Sequence, residues 1–159
     1  MATARSRRSL FTAVTGGVVA AVVGETTHAR SAAATPGSAG SVQVTNPPLR
    51  IEDTRDAGTK LAGGHTVEVF VPGLIGTGVV GVLLNVTVTN TEGAGFLRVD
   101  AGNTTVANTT SNINWWAAGL TLANLVAVPA EGTRGVTITA GGGGKADVVV
   151  DLVGFLTNP

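Results

Sequence analysis

Hydrolysis by a nucleophile needs a hydroxyl or thiol, a base within hydrogen-bond reach and a third group that orients the base. Beyond its first 34 residues this sequence offers one histidine, His65, and three serines, Ser38, Ser41 and Ser111, none of them in a G-x-S-x-G turn. It contains no cysteine, which removes disulfides, thiolate chemistry and cysteine-ligated zinc or iron–sulfur centres. His65 follows Gly63-Gly64 at the start of an alternating segment, the ordinary place for an exposed turn residue. The acidic turn Asp100-Ala101-Gly102-Asn103 supplies few of the about six to eight oxygens that calcium takes. No catalytic residue, metal site or cofactor is expected.

Asp53, Asp100, Asp147 and Asp151 are the carboxylates from which a glycosidase pair would be drawn. Asp151 interrupts the apolar run from Ala146 to Phe155, so it is expected to be buried, and a buried carboxylate must be paired or protonated. Arg50 or Arg55 is the expected partner. Strict alternation places Leu49, Ile51, Asp53 and Arg55 on one face of their strand and Arg50, Glu52 and Thr54 on the other. Arg50, Asp53, Arg55 and Asp151 are therefore read as an internal charge network that fixes strand register rather than as a catalytic set. Asn85, Asn114 and Asn124 also sit among apolar residues, and a buried asparagine can bridge main-chain groups where a loop crosses a sheet.

Trp115 and Trp116 are adjacent, so on an extended chain they point to opposite sides. One ring then enters the core and the other faces outward as a candidate ligand-binding group. The alternative is a turn at Ala117-Ala118-Gly119 that folds both rings under a loop.

The elements that must position these residues are strands. Val67, Val69 and Val71 alternate with Thr66, Glu68 and Phe70; Val80, Val82, Leu84, Val86 and Val88 alternate with Leu83, Asn85, Thr87 and Thr89. Further strands are predicted over 49–54, 95–99, 120–128, 135–139 and 146–155, separated by turn signals at Glu92-Gly93, Ala101-Gly102 and Gly141 to Gly144. No window holds the i, i+3, i+4, i+7 pattern of a helix. Glycine is abundant, at 23 residues, and aromatics are sparse at 4%, a balance suited to short strands and tight turns. The expected fold is all-β, a sandwich or alternatively a closed barrel of mostly antiparallel strands.

Residues 1–34 have the parts of a cleavable signal peptide. Arg5, Arg7 and Arg8 precede an apolar run from Leu10 to Gly24, and Ala32, Ala33 and Ala34 form the small-residue cleavage region. Ser6-Arg7-Arg8-Ser9-Leu10-Phe11 is similar to the twin-arginine export signal. The run is shorter than the roughly 18 residues of a permanent membrane span. Residues 35–41, rich in Pro, Gly, Ser and Ala, read as a linker, and 42–159 as a single domain. Four of the ten basic residues and one of the ten acidic ones lie in the signal segment. The domain is thus left with a charge of about −3, which argues against nucleic acid as its partner.

Four groups of segments together resemble a module of unassigned function found in secreted proteins of actinobacteria. They are Pro47 to Arg55; Leu84 to Thr89 running on to Gly95-Phe96-Leu97; Ser111 to Asn114 followed by Ala123 to Pro129; and Val149 to Phe155. The resemblance implies an extracellular β module and supplies no catalytic residues; Trp115-Trp116 departs from the module's usual single aromatic. The expected function is a non-catalytic secreted or cell-envelope module that binds a surface component, such as a glycan or a protein. The alternatives are a carbohydrate-binding module using the exposed tryptophan and a small secreted hydrolase.

Overall fold

The computed structural model describes residues 40–74, 78–102, 110–129 and 134–159. The signal segment, its cleavage region and most of the linker lie outside the described residues, as do Ser38 and Asn103.

Nine strands run in order through the described chain: β1 (Ser41–Asp53), β2 (Leu61–Ala62), β3 (Thr66–Phe70), β4 (Val79–Glu92), β5 (Gly95–Ala101), β6 (Ile113–Trp115), β7 (Leu122–Pro129), β8 (Gly135–Gly142) and β9 (Lys145–Thr157). No described residue is helical. The larger sheet has the order β1-β9-β4-β7, with β2 also paired to β9, and the smaller has the order β3-β8-β5-β6. All pairings are antiparallel, and neither sheet closes on itself. The fold is a β-sandwich.

The alternation read from the sequence accounts for the core. Val82, Leu84, Val86 and Val88 of β4 are fully buried, and Val148, Val150 and Leu152 of β9 and Val126 and Val128 of β7 lie beside them on the inner face. Val69 and Val71, Leu97 and Val99, Val136 and Ile138 close the core from the other sheet. β4 and β7 bury one row of side chains and leave the other more exposed, which is the periodicity a two-layer sandwich requires.

Three departures matter. β1 begins at Ser41, well before the strand predicted at Leu49, and Pro47 and Pro48 interrupt its ladder with β9 between Val44 and Leu49. Proline cannot donate to a ladder, and at this interruption Thr45 Oγ1 donates to Leu152 O at 2.8 Å. The Asn46-Pro47 bond is cis. Second, the turn predicted at Gly141 to Gly144 is half strand, because Gly141 and Gly142 pair with Phe96 and Gly95. Third, β1 carries a bulge: Arg50 pairs with Asp151 but Glu52 pairs with Val150, so one extra residue is inserted.

Candidate functional site

The bulge reverses the parity of the charged segment. Strict alternation separates Arg50 from Asp53, whereas the inserted residue brings both to the outer face of the larger sheet, where Asp151 also points. Arg50 Nε donates to Asp151 Oδ1 at 2.7 Å, and Arg50 Nη1 meets Asp53 Oδ2 at 3.0 Å. Arg55 Nε donates to Asp53 Oδ1 at 2.7 Å, and the Arg55 backbone N–H reaches the same oxygen at 3.1 Å. All four residues of the expected network are thus in contact. The cluster is only partly internal: the Asp53 side chain is 8% exposed and Asp151 20%, but both guanidinium groups are about half exposed. Val150 and Leu152 face the core while Asp151 faces away. Val149, also on the outer face and opposite Asp53, is itself buried, which is why the run reads as unbroken in the sequence. Arg55, through its side-chain hydrogen bond, holds the Asp53 carboxyl far below the ordinary carboxylate range. Asp151, by the same kind of bond, raises the Arg50 guanidinium.

In register across the larger sheet, Arg50, Asp151, Asn85 and Leu125 form one row over β1, β9, β4 and β7. Those four strands contain most of the segments that carry the resemblance to the secreted module. The other polar residues of those segments also brace main chain. Asn124 Nδ2 donates to Asn112 O at 2.8 Å, while Asn112 Oδ1 accepts from Val99 N–H at 2.7 Å and Asn112 N–H donates to Leu97 O at 2.8 Å. Asn112 therefore ties β5 in one sheet to β7 in the other. Asn124 performs the bridging expected of it, although it is exposed rather than buried. Asn114 exchanges hydrogen bonds with Ser111 at the surface, and Asn85 is half-buried on the outer face.

The groups that hydrolysis would need are apart. Ser41 Oγ lies 2.7 Å from Thr157 Oγ1, Ser111 is engaged with Asn114, and His65 is neither residue's partner. His65 lines a groove of about 460 Å³ between the β1 and β3 sides of the sandwich, with Glu52, Thr54 and Lys60. Asp100 lies in the smaller sheet against Arg98 Nε at 2.5 Å, and Asp147 in the larger sheet accepts from Asn90 Nδ2 at 2.8 Å. A second charged cluster joins Glu92 to Lys60 at 2.6 Å and Lys145 at 3.1 Å. Lys60 and Lys145 lie 32 and 53 positions from Glu92, so nothing in the sequence pairs them with it; Lys60 and then Lys145 hold the Glu92 carboxyl below its ordinary value.

The tryptophans separate as an extended chain requires. Trp115 is 3% exposed and packs over Gly95, where an added Cβ would collide with the indole; Trp116 is 72% exposed. The Trp115 Nε1 donor has no hydrogen-bond partner among the described residues. A turn does follow, but it does not cover the second ring. Buried Thr91 at the end of β4 holds that turn from within. Its hydroxyl donates to Ala117 O and accepts from Leu120 N–H, both at 2.8 Å, and its carbonyl accepts from Gly119 N–H at 2.8 Å. Trp116 therefore projects from a pinned turn. Asn114, two residues earlier on the same side of the strand, lies opposite Phe96, whose ring covers Gly141 so closely that an added Cβ there would displace it. Phe96 was legible only as a strand residue, not as a surface aromatic.

A chain of the cyanophage Pam1 capsid asymmetric unit is similar over 81% of this chain and 94% of its own. It is 17% identical, with a TM-score of 0.35. So low a superposition says nothing about what this chain binds. No family model matches the sequence, and no curated protein matches it.

Proposed function

We propose that this chain is an exported, non-catalytic binding module that meets a cell-envelope component through Trp116. Export rests on the signal-like residues 1–34, and the reading as a secreted β module on the segments quoted above. The observation that carries the binding surface is the contrast between neighbours. Trp115 anchors the strand in the core, and Trp116 stands 72% exposed on a turn held by three hydrogen bonds to Thr91. A large ring held in place offers contact area at little ordering cost.

A glycan suits this surface better than a protein. Phe96, Asn114 and Ser111 belong to the same outer region of β5 and β6, and a sugar needs apolar faces to stack on with amide and hydroxyl groups to bond its edges. The test is binding of the full chain to cell-wall polysaccharide and to soluble glycans, read by retention and by tryptophan fluorescence. Trp116→Ala should abolish retention and leave the melting transition unchanged, whereas Trp115→Ala should cost ~3 to 5 kcal/mol of stability. Retention that survives Trp116→Ala would reject the surface, and retention on envelope protein but on no glycan would reject the sugar.

A further inference from the structure

Each sheet of a sandwich ends in two strands with one side of the backbone unpaired, and such edges invite another strand unless something discourages it. Three of the four edges here are discouraged. β1 has a bulge, two prolines and the charged residues Arg50, Glu52 and Asp53. β3 is five residues long and carries Glu68, and β6 is three residues long.

β7 has none of these devices over most of its length. Its eight residues, Leu122–Pro129, contain no charge, and its only proline is the last residue. Against β4 its register runs without a bulge from Val88 opposite Leu122 to Gly81 opposite Pro129. Among the described residues, no backbone group beyond β4 bonds to it. Asn124 reaches out from the strand, but through its side chain to Asn112 O. The outer face of β7 shows Ala123, Leu125 and Ala127, with Leu125 58% exposed between two small residues.

We propose that β7 pairs antiparallel with β7 of a second copy of this chain across a two-fold axis near Leu125, joining the two larger sheets into one. Only an extended chain satisfies a row of alternating N–H and C=O groups. A second copy fits because the strand is its own complement. With no charge on it, two copies meet without like-charge repulsion. In a register centred on Leu125, each Ala123 lies opposite the partner's Ala127 and the two Leu125 side chains cover each other. A two-fold arrangement closes at the dimer and leaves no β7 edge open. The grooves at Arg50 and at His65 both border β1, at the edge of the larger sheet opposite β7.

The chain has no cysteine, so a single introduced thiol reports on one position. Under mild oxidation Leu125→Cys should form a disulfide-linked dimer, while Phe70→Cys, at an exposed position on β3, should stay monomeric at the same concentration. By sedimentation of the full chain, Leu125→Lys should weaken dimerisation by about tenfold or more, because it sets two like charges opposite each other. Its thermal transition should stay that of the parent when both are compared as monomers. Ala127→Lys serves if Leu125→Lys fails to fold. A parent that sediments as a monomer at every concentration, a dimer unaffected by the lysine substitutions, or equal cross-linking at positions 70 and 125 each refutes the pairing. A monomer whose β7 amides gain exchange protection only when an envelope protein is added would assign the edge to that protein instead.

Discussion

β1 and β7 border the same sheet, and among the described residues each leaves one side of its backbone without a strand along most of its length. On β1 side chains mend the ladder to β9 where the strand's own backbone does not. Thr45 takes a carbonyl of β9 where the prolines interrupt the ladder, and Thr54, just past the strand, closes its end against Val148. Arg50, Asp53 and Arg55 occupy the outer face beside the bulge. On β7 almost nothing of this kind exists, and an unbroken ladder to β4 holds the strand. The difference teaches where stability and association should separate: changes on β1 should be felt by the fold, and changes on the outer face of β7 by what the fold meets.

The largest effect on the β1 side belongs to Thr54. Its buried hydroxyl oxygen accepts from Val148 N–H at 2.8 Å while its own N–H donates to Val148 O at 2.9 Å. Thr54→Val keeps the shape and strands the Val148 donor, so urea unfolding should show a loss of ~1 to 3 kcal/mol. Leu125→Ala on β7 should stay within about 0.5 kcal/mol when measured on the monomer, and a loss there equal to that of Thr54→Val would erase the contrast.

Asp151→Ala comes next. A buried pair broken on one side costs ~3 to 5 kcal/mol, but Asp151 is 20% exposed and the Arg50 it leaves behind is half in water, so a loss of no more than about 1 kcal/mol is expected. A loss at the upper figure would show that water does not reach the cluster.

The smallest effect is the response to acid, and high salt should damp it further. Asp53 and Glu92 both have folded-state values below their ordinary 3.8 and 4.5, so the folded state holds their protons less tightly than the unfolded chain. Their contribution is complete above about pH 4.5 and is lost progressively as the pH falls through the lowered values. Asp53→Asn should flatten the part of a stability-against-pH curve that lies below pH 4. A curve of unchanged slope would mean that the β1 charges titrate alike in both states.

Much of this was legible from local pattern. The alternation in Val80 to Thr89 identified the buried row of β4, and adjacency alone sent Trp115 and Trp116 to opposite sides. The failures have two causes, dependence on residues distant in sequence and segments whose local pattern is too short or is interrupted. The bulge that unites Arg50 with Asp53 shows only against β9, a hundred positions on. β2, with two residues, and β6, with three, are too short to display a period, and Pro47-Pro48 argues locally against the strand that β1 nonetheless forms. Asn112 carries no local signal that distinguishes it from Asn114, yet Asn112 links β5 to β7 while Asn114 bonds to Ser111.

The position of β9 has a consequence in time. It pairs with β1, β2 and β4, so three strands of the larger sheet depend on the last described strand to be synthesised. Ser41 opposite Thr157 closes a loop of more than a hundred residues. A chain growing from its N-terminus holds β1 and β4 without their common neighbour until β9 has left the ribosome. Such non-local closure makes folding of the sandwich slow and keeps it from starting strand by strand in chain order.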